Sequence, residues 1–159
     1  MTGRETAARL REMTRADLPE VLDLEHKLFP DDAWSPEMFS DELGQPADSR
    51  LYLVAASDAY PLAGYAGMMF VPGGAQADVL TIAVHPDCWG QGIGSLLLGM
   101  MIGTARERGC DEVFLEVRAD NHRAHGLYTR RGFKEIGVRH GYYQPSGTDA
   151  IVMRKDLRR

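Results

Sequence analysis

Cysteine is scarce in this chain. Only Cys88 and Cys110 occur in 159 residues, and no C-x-x-C pair exists. Two such thiols build neither a disulfide framework nor a zinc site by themselves, so a cytosolic protein with free thiols is expected. Long apolar runs are missing as well. The richest stretch, Leu96-Leu97-Leu98-Gly99-Met100-Met101-Ile102, falls well short of the ~18 residues of a membrane helix. The opening Met1-Thr2-Gly3-Arg4-Glu5-Thr6 is polar and lacks the apolar stretch of a secretory signal. Nor is there an excess of basic charge. A formal net charge of -5 argues against a general nucleic-acid binder and suits a small cationic substrate through electrostatic steering. Repeats, charge blocks and low-complexity linkers are also lacking, so residues 1–159 read as one domain.

What is present is ordinary for a globular chain, with 44% hydrophobic and 26% charged residues, which leaves disorder and fibre aside. Thr14 can cap a first helix, with Asp17 three residues on and Leu18, Val21, Leu22, Leu24 and Leu28 as its apolar positions. Ser35-Pro36-Glu37 starts a second helix: capping serine, proline at the first helical position, acid in the first turn. Between them runs an acidic loop with two large aromatics, Phe29-Pro30-Asp31-Asp32-Ala33-Trp34. Strands are expected over 51–56, 62–71, 79–84, 113–117, 136–143 and 150–157, with a helix over 121–131 stopped by Gly132. Ile93, Leu96, Leu97, Met100 and Met101 follow the spacing of one buried helical stripe. Ser95, Gly99 and Gly103 form a small stripe beside it, suited to close packing against a sheet. The mixed order of strands and helices predicts an α/β class, three-layer fold with helices on both faces of a mixed central sheet of about seven strands.

Trp89-Gly90-Gln91-Gly92-Ile93-Gly94 lies between a strand and a helix. Glycines let backbone approach a ligand closely, and the helix that follows offers unpaired N–H groups and the positive end of its dipole. That combination suits a pyrophosphate. A dinucleotide fingerprint fails at Ser95, where its third glycine belongs, and no Gly-Lys-Ser/Thr follows to make a Walker loop. Coenzyme A fits better.

At this loop the chain resembles the GNAT acetyltransferases, whose pyrophosphate loop reads Gln/Arg-x-x-Gly-x-Gly/Ala. Gly92 and Gly94 match, while Trp89 stands at the first position. The likeness extends to the ribosomal-protein alanine N-acetyltransferases through Phe114-Leu115-Glu116-Val117-Arg118-Ala119-Asp120-Asn121, Ala124, Leu127-Tyr128, Arg131-Gly132-Phe133, Gly141-Tyr142-Tyr143 and Asp149-Ala150-Ile151-Val152-Met153. The segment from Phe29 to Phe39 also looks like that branch's loop and second helix. Gln144 between Tyr143 and Pro145, and His140-Gly141 where the branch tends to have Arg-Asn, depart from it.

The resemblance implies acetyl transfer from acetyl-CoA to the N-terminal α-amino group of a protein, a ribosomal protein with N-terminal alanine, with no metal and no nucleic-acid or membrane partner. An amine attacks a thioester only when unprotonated. A free α-amino group of pKa ~8 is roughly one-tenth neutral at pH 7, so a modest base is needed, with an oxyanion site and an acid for the leaving thiolate. By pattern alone Glu116 is a solvated strand residue and Tyr128 a half-buried core tyrosine. The family match makes Glu116 the base, working through water, and Tyr128 the acid. The same match implies that Gly90, Gln91, Gly92, Ile93, Gly94 and Ser95 hold the pyrophosphate. It implies further that backbone of Ile82, Ala83 and Val84 takes the pantetheine arm like an added strand, and that Asn121, a helix cap in any case, reaches the coenzyme. Cys88 reads as a bystander, and His85, His122, His125 and His140 as surface or capping residues. Acetylation of a lysine side chain or small amine, and coenzyme binding without catalysis, are the competing readings.

Overall fold

The computed structural model describes residues 8–158. Its strands are β1 (Arg9–Glu12), β2 (Arg50–Ala56), β3 (Gly64–Phe70), β4 (Gln76–Val84), β5 (Glu112–Arg118), β6 (Lys134–Tyr143) and β7 (Thr148–Asp156). Its helices are α1 (Leu18–Leu28), α2 (Pro36–Leu43), α3 (Ile93–Glu107) and α4 (His122–Arg130). The strands form one mixed sheet in the order β1-β2-β3-β4-β5-β7-β6, with β4 and β5 the parallel pair.

Alternation along a strand puts the two faces of this sheet into separate cores. In β2, Leu53 and Ala55 join the core covered by α3, while Tyr52 and Val54 join the core covered by α1 and α2. Val21, Leu24 and Phe39 close the second core. No helix among the described residues is long and apolar enough to cross a membrane.

Several boundaries and contacts differ from the sequence reading. β1 was not anticipated, because Arg9-Leu10-Arg11-Glu12 is a short edge strand with one apolar residue, made by pairing with β2. Thr14 and Asp17 do meet, the Thr14 N–H donating to the Asp17 carboxylate at 2.8 Å, but a short 3-10 turn intervenes before α1. Ser35 caps α2 as expected, accepting from the Met38 N–H at 3.1 Å.

The buried stripe of α3 is Ile93, Leu97, Leu98, Met101, Ile102 and Ala105. Met100, expected inside, is 47% exposed. Leu98 and Ile102 are also apolar, so helical period alone could not choose between two overlapping stripes. The expected close packing of Gly99 and Gly103 against the sheet is absent. Gly99 makes room for the Arg131 guanidinium, and nothing lies near Gly103. The close approach is made by Gly64 of β3, where an added Cβ would stand 2.7 Å from the Ala83 carbonyl and 3.3 Å from the Ile93 and Leu97 side chains.

One feature of the sheet positions the site. β4 and β5 pair only through Gln76–Asp78 and Glu112–Phe114. Beyond that the strands part, and the register between β3 and β4 shifts at Gly67/Met68, opposite Thr81 and Val79. A bulge of this kind bends its strand. The upper half of β4 therefore bonds to β3 alone and presents a bare edge toward β5.

Candidate active site

The gap between the parted strands opens into a cleft of about 680 Å³. Its walls include Ile82, Ala83 and Val84 of β4, the loop residues Gly90, Gly92, Ile93, Gly94 and Ser95, and Asn121 at the start of α4. Gly90 and Gly92 both have φ of 83°, a left-handed conformation that only glycine adopts without strain. Gly92 is the N-cap of α3, so the free N–H groups of that helix begin there. Gly94 lets α3 approach α4: an added Cβ would stand 3.1 Å from the Leu127 side chain. Gln91 is exposed and is not among the lining residues. The Val84 carbonyl already accepts the Trp89 indole N–H at 2.9 Å.

A smaller cavity of about 110 Å³ adjoins the cleft and shares Phe29, Asp32, Ile82, Arg118, Asn121 and Ala124 with it. Glu116 and Tyr128 both line this smaller cavity, so the structure brings together the two side chains singled out in the sequence. Val113, Leu115 and Val117 point into the core, leaving Glu116 on the opposite face of β5. Its carboxylate forms an ion pair with Arg139, whose Nε lies 2.5 Å from Oε2. Burial, together with the nearby Glu116 carboxylate, pushes the Tyr142 phenol upward. Tyr128 is 4% exposed, its ring set edge-on to Phe133 at 5.9 Å. Burial raises its phenol above the usual range, so the hydroxyl keeps its proton. Tyr143 lines the same cavity, its phenol pushed up to about 12 by burial and by Glu116. Asn121 caps α4, accepting from the Ala124 N–H at 3.1 Å.

Two neighbours went unnoticed in the sequence. Glu25 is 2% exposed on the inner side of α1. It accepts the Tyr65 hydroxyl and, at 2.9 Å, the Trp34 N–H, and so fixes the loop between α1 and α2. Burial raises its carboxyl, against the lowering effect of those two donors. The signal was available: Glu25 sits four residues after Val21 and three before Leu28, inside the apolar stripe. The second neighbour is Arg118, which pairs with Asp32 of that loop and with Asp120 at 3.0 Å, tying the loop to the end of β5. Among the described residues no cluster of His, Cys, Asp and Glu could hold a metal ion.

Residues 18–133 match the acetyltransferase (GNAT) family, and the chain belongs to it. It is an acetyl-CoA-dependent N-acetyltransferase. Among its relatives is the N-alpha-acetyltransferase RimI of Mycobacterium tuberculosis, 40% identical over 147 residues that cover 91% of this chain and 89% of that one. The crystal structure of the ribosomal-protein-S18-alanine N-acetyltransferase from Escherichia coli has a TM-score of 0.81 and 30% identity, covering 96% of this chain and 95% of that one. The streptothricin acetyltransferase of Streptomyces lavendulae is 35% identical over 140 residues, 88% of this chain and 70% of that one.

Proposed function

We propose that this enzyme acetylates the N-terminal alanine of a ribosomal protein of the S18 type, in the cytoplasm, by direct attack of the α-amino group on acetyl-CoA. The observation that carries the reading is the junction of the two cavities, where the bare edge of β4 meets Glu116 and Tyr128. The coenzyme's phosphates lie on the N–H groups of residues 90–95, and its pantetheine arm runs along Ile82, Ala83 and Val84 as an added strand. Asn121 reaches the same arm from α4. With the Val84 carbonyl already bonded to Trp89, the N–H groups of this edge are its principal donors. One of them meets the developing oxyanion.

Glu116 accepts the ammonium proton through a water molecule, which leaves the amine lone pair free to form the C–N bond. As the C–S bond breaks, Tyr128 gives its proton to the thiolate. Charge balances at each step without a covalent enzyme intermediate. Relatives that act on a ribosomal-protein alanine support the choice of acceptor. The decisive experiment is acetyl transfer to a panel of peptides with different N-termini, read by mass spectrometry, with free lysine and polyamines as controls. Alanine-starting peptides are expected to be modified at the α-amine.

The streptothricin relative favours a second reading, acetylation of a small-molecule amine such as streptothricin. Turnover of streptothricin with no turnover of any peptide would establish it in place of the first.

A further inference from the structure

Trp89 occupies the loop position where resembling enzymes carry Gln or Arg, so a polar side chain beside the phosphates is missing from the loop itself. The structure supplies a cation there from another element. The Trp89 indole is anchored by its bond to the Val84 carbonyl. The Arg123 guanidinium, from the first turn of α4, lies over that ring, 4.0 Å from its centroid. Trp89 and Arg123 line the large cleft together with Gly90, Gly92 and Gly94.

This placement does nothing for α4. A cation in the first turn of a helix faces the positive end of the dipole and is disfavoured there. No acid pairs with it: of the carboxylates lining the cleft, Asp32 and Asp120 are held by Arg118 and Asp31 makes no ion pair with Arg123. Among the described residues Arg123 makes no ion pair and no side-chain hydrogen bond, and its guanidinium rests on the Trp89 ring. An unneutralised guanidinium, fixed by an aromatic face at the rim of a glycine loop, is a site for a phosphate oxygen.

We propose that Arg123, held against Trp89, is the cation that grips the pyrophosphate of coenzyme A, in place of the loop side chain that Trp89 displaces. The inference rests on the reading of residues 90–95 as the coenzyme loop. Titration calorimetry at low salt, with coenzyme A and 3′-dephospho-coenzyme A as ligands, tests it. Arg123→Gln is expected to weaken both ligands about tenfold and by the same factor, as loss of one charge-assisted contact implies. Trp89→Phe keeps most of the affinity, whereas Trp89→Ala loses it, and adding Arg123→Gln to Trp89→Ala costs little more. Equal affinity of wild type and Arg123→Gln overturns the proposal, even if Trp89→Ala fails to fold. A penalty that vanishes with the dephospho ligand moves Arg123 to the 3′-phosphate and overturns it too. A Gly92→Val variant separates the two readings. If it weakens binding while Arg123→Gln does not, the coenzyme loop stands and only the role of Arg123 falls. A wild type that binds neither ligand removes both.

Discussion

Arg139 reaches from β6 across β7 to the Glu116 carboxylate on β5 along a diagonal, since Arg139 stands opposite Ala150 of β7 and Glu116 opposite Val152. The carboxylate assigned as base, which lines the smaller cavity, thus already has a cationic partner. That partner's side chain is 59% exposed, so the pair belongs to the class worth ~0–1 kcal/mol.

Glu116→Gln is therefore expected to leave folding stability nearly unchanged while turnover falls ~10²–10⁴-fold, the range for a lost general base. The loss is largest below the amine pKa, where most substrate arrives protonated. Coenzyme affinity is retained. A pH profile of kcat/KM beside a coenzyme titration reads both quantities, and wild-type rates at pH 6–7 would refute the assignment of roles.

Tyr128→Phe separates chemistry from packing in the same way. The ring's contact with Phe133 survives the change, and among the described residues the hydroxyl has no hydrogen-bond partner to lose. The melting temperature is expected to stay close to wild type while thiolate departure slows. Because burial raises the Tyr128 phenol, the wild type shows no loss of its acid as pH climbs toward the ordinary tyrosine range of about 10. An alkaline limb well below that point, absent in the phenylalanine variant, would contradict it.

Coenzyme A and acetyl-CoA are expected to raise the melting temperature, and NAD is not. A ligand that binds only the folded state stabilises by mass action, about 2.7 kcal/mol at a hundredfold excess over Kd. The left-handed Gly90 and Gly92 suit a pyrophosphate in general, but Ser95 breaks the dinucleotide pattern. Equal shifts with both ligands in a thermal melt would remove the basis for that distinction.

Much of this site was legible before any coordinates. The glycine loop announced itself because left-handed backbone demands glycine. Strand alternation set Glu116 apart from Val113, Leu115 and Val117, but only the family resemblance made it more than a solvated strand residue. Asn121 was legible as a cap for a local reason. The parting of β4 and β5 was not, since no single residue encodes it: it follows from a register shift against β3. Arg139 and Arg123 escaped notice because their partners, Glu116 and Trp89, are distant in sequence. Met100 was misplaced because two apolar stripes overlap on α3, and only the sheet decides which is buried.

Asp17 gives a pH test of the fold away from the site. Arg11 donates to it at 2.7 Å and the Thr14 N–H at 2.8 Å, which lowers its carboxyl to about 2, against the opposing effect of burial. The folded-state value lies below the unfolded one, so its contribution is present above pH ~4 and is lost as pH falls toward ~2. Asp17→Asn is expected to lower stability at pH 7 by about 1–2 kcal/mol, in the range for a lost capping carboxylate. The gap to wild type should close in acid. Urea denaturation at a series of pH values measures it, and a gap that widens on acidification would have the wrong sign.

The acidic segment from Asp31 to Glu42 makes the last prediction, and the structure reduces its expected size. Of Asp31, Asp32, Glu37, Asp41 and Glu42, two are already engaged. Asp32 is bound by Arg118, and Glu42 by Arg50 at 2.6 Å and by the Tyr52 hydroxyl at 2.7 Å. Asp31, Glu37 and Asp41 remain exposed, and no ion pair among the described residues involves them. Three unpaired carboxylates on a chain of net charge -5 still raise the local concentration of a cationic peptide. An alanine-starting peptide followed by basic residues should therefore show a higher kcat/KM than its acidic counterpart. Salt screens exposed charges over ~8–10 Å, so the preference should fade as ionic strength rises through the physiological range. Asp41→Asn with Glu37→Gln should reduce it at low salt without changing kcat, since neither side chain lines the cleft or the smaller cavity that holds Glu116 and Tyr128. Equal rates for both peptides at low salt would mean that these acids only solvate the surface of α2 and its loop.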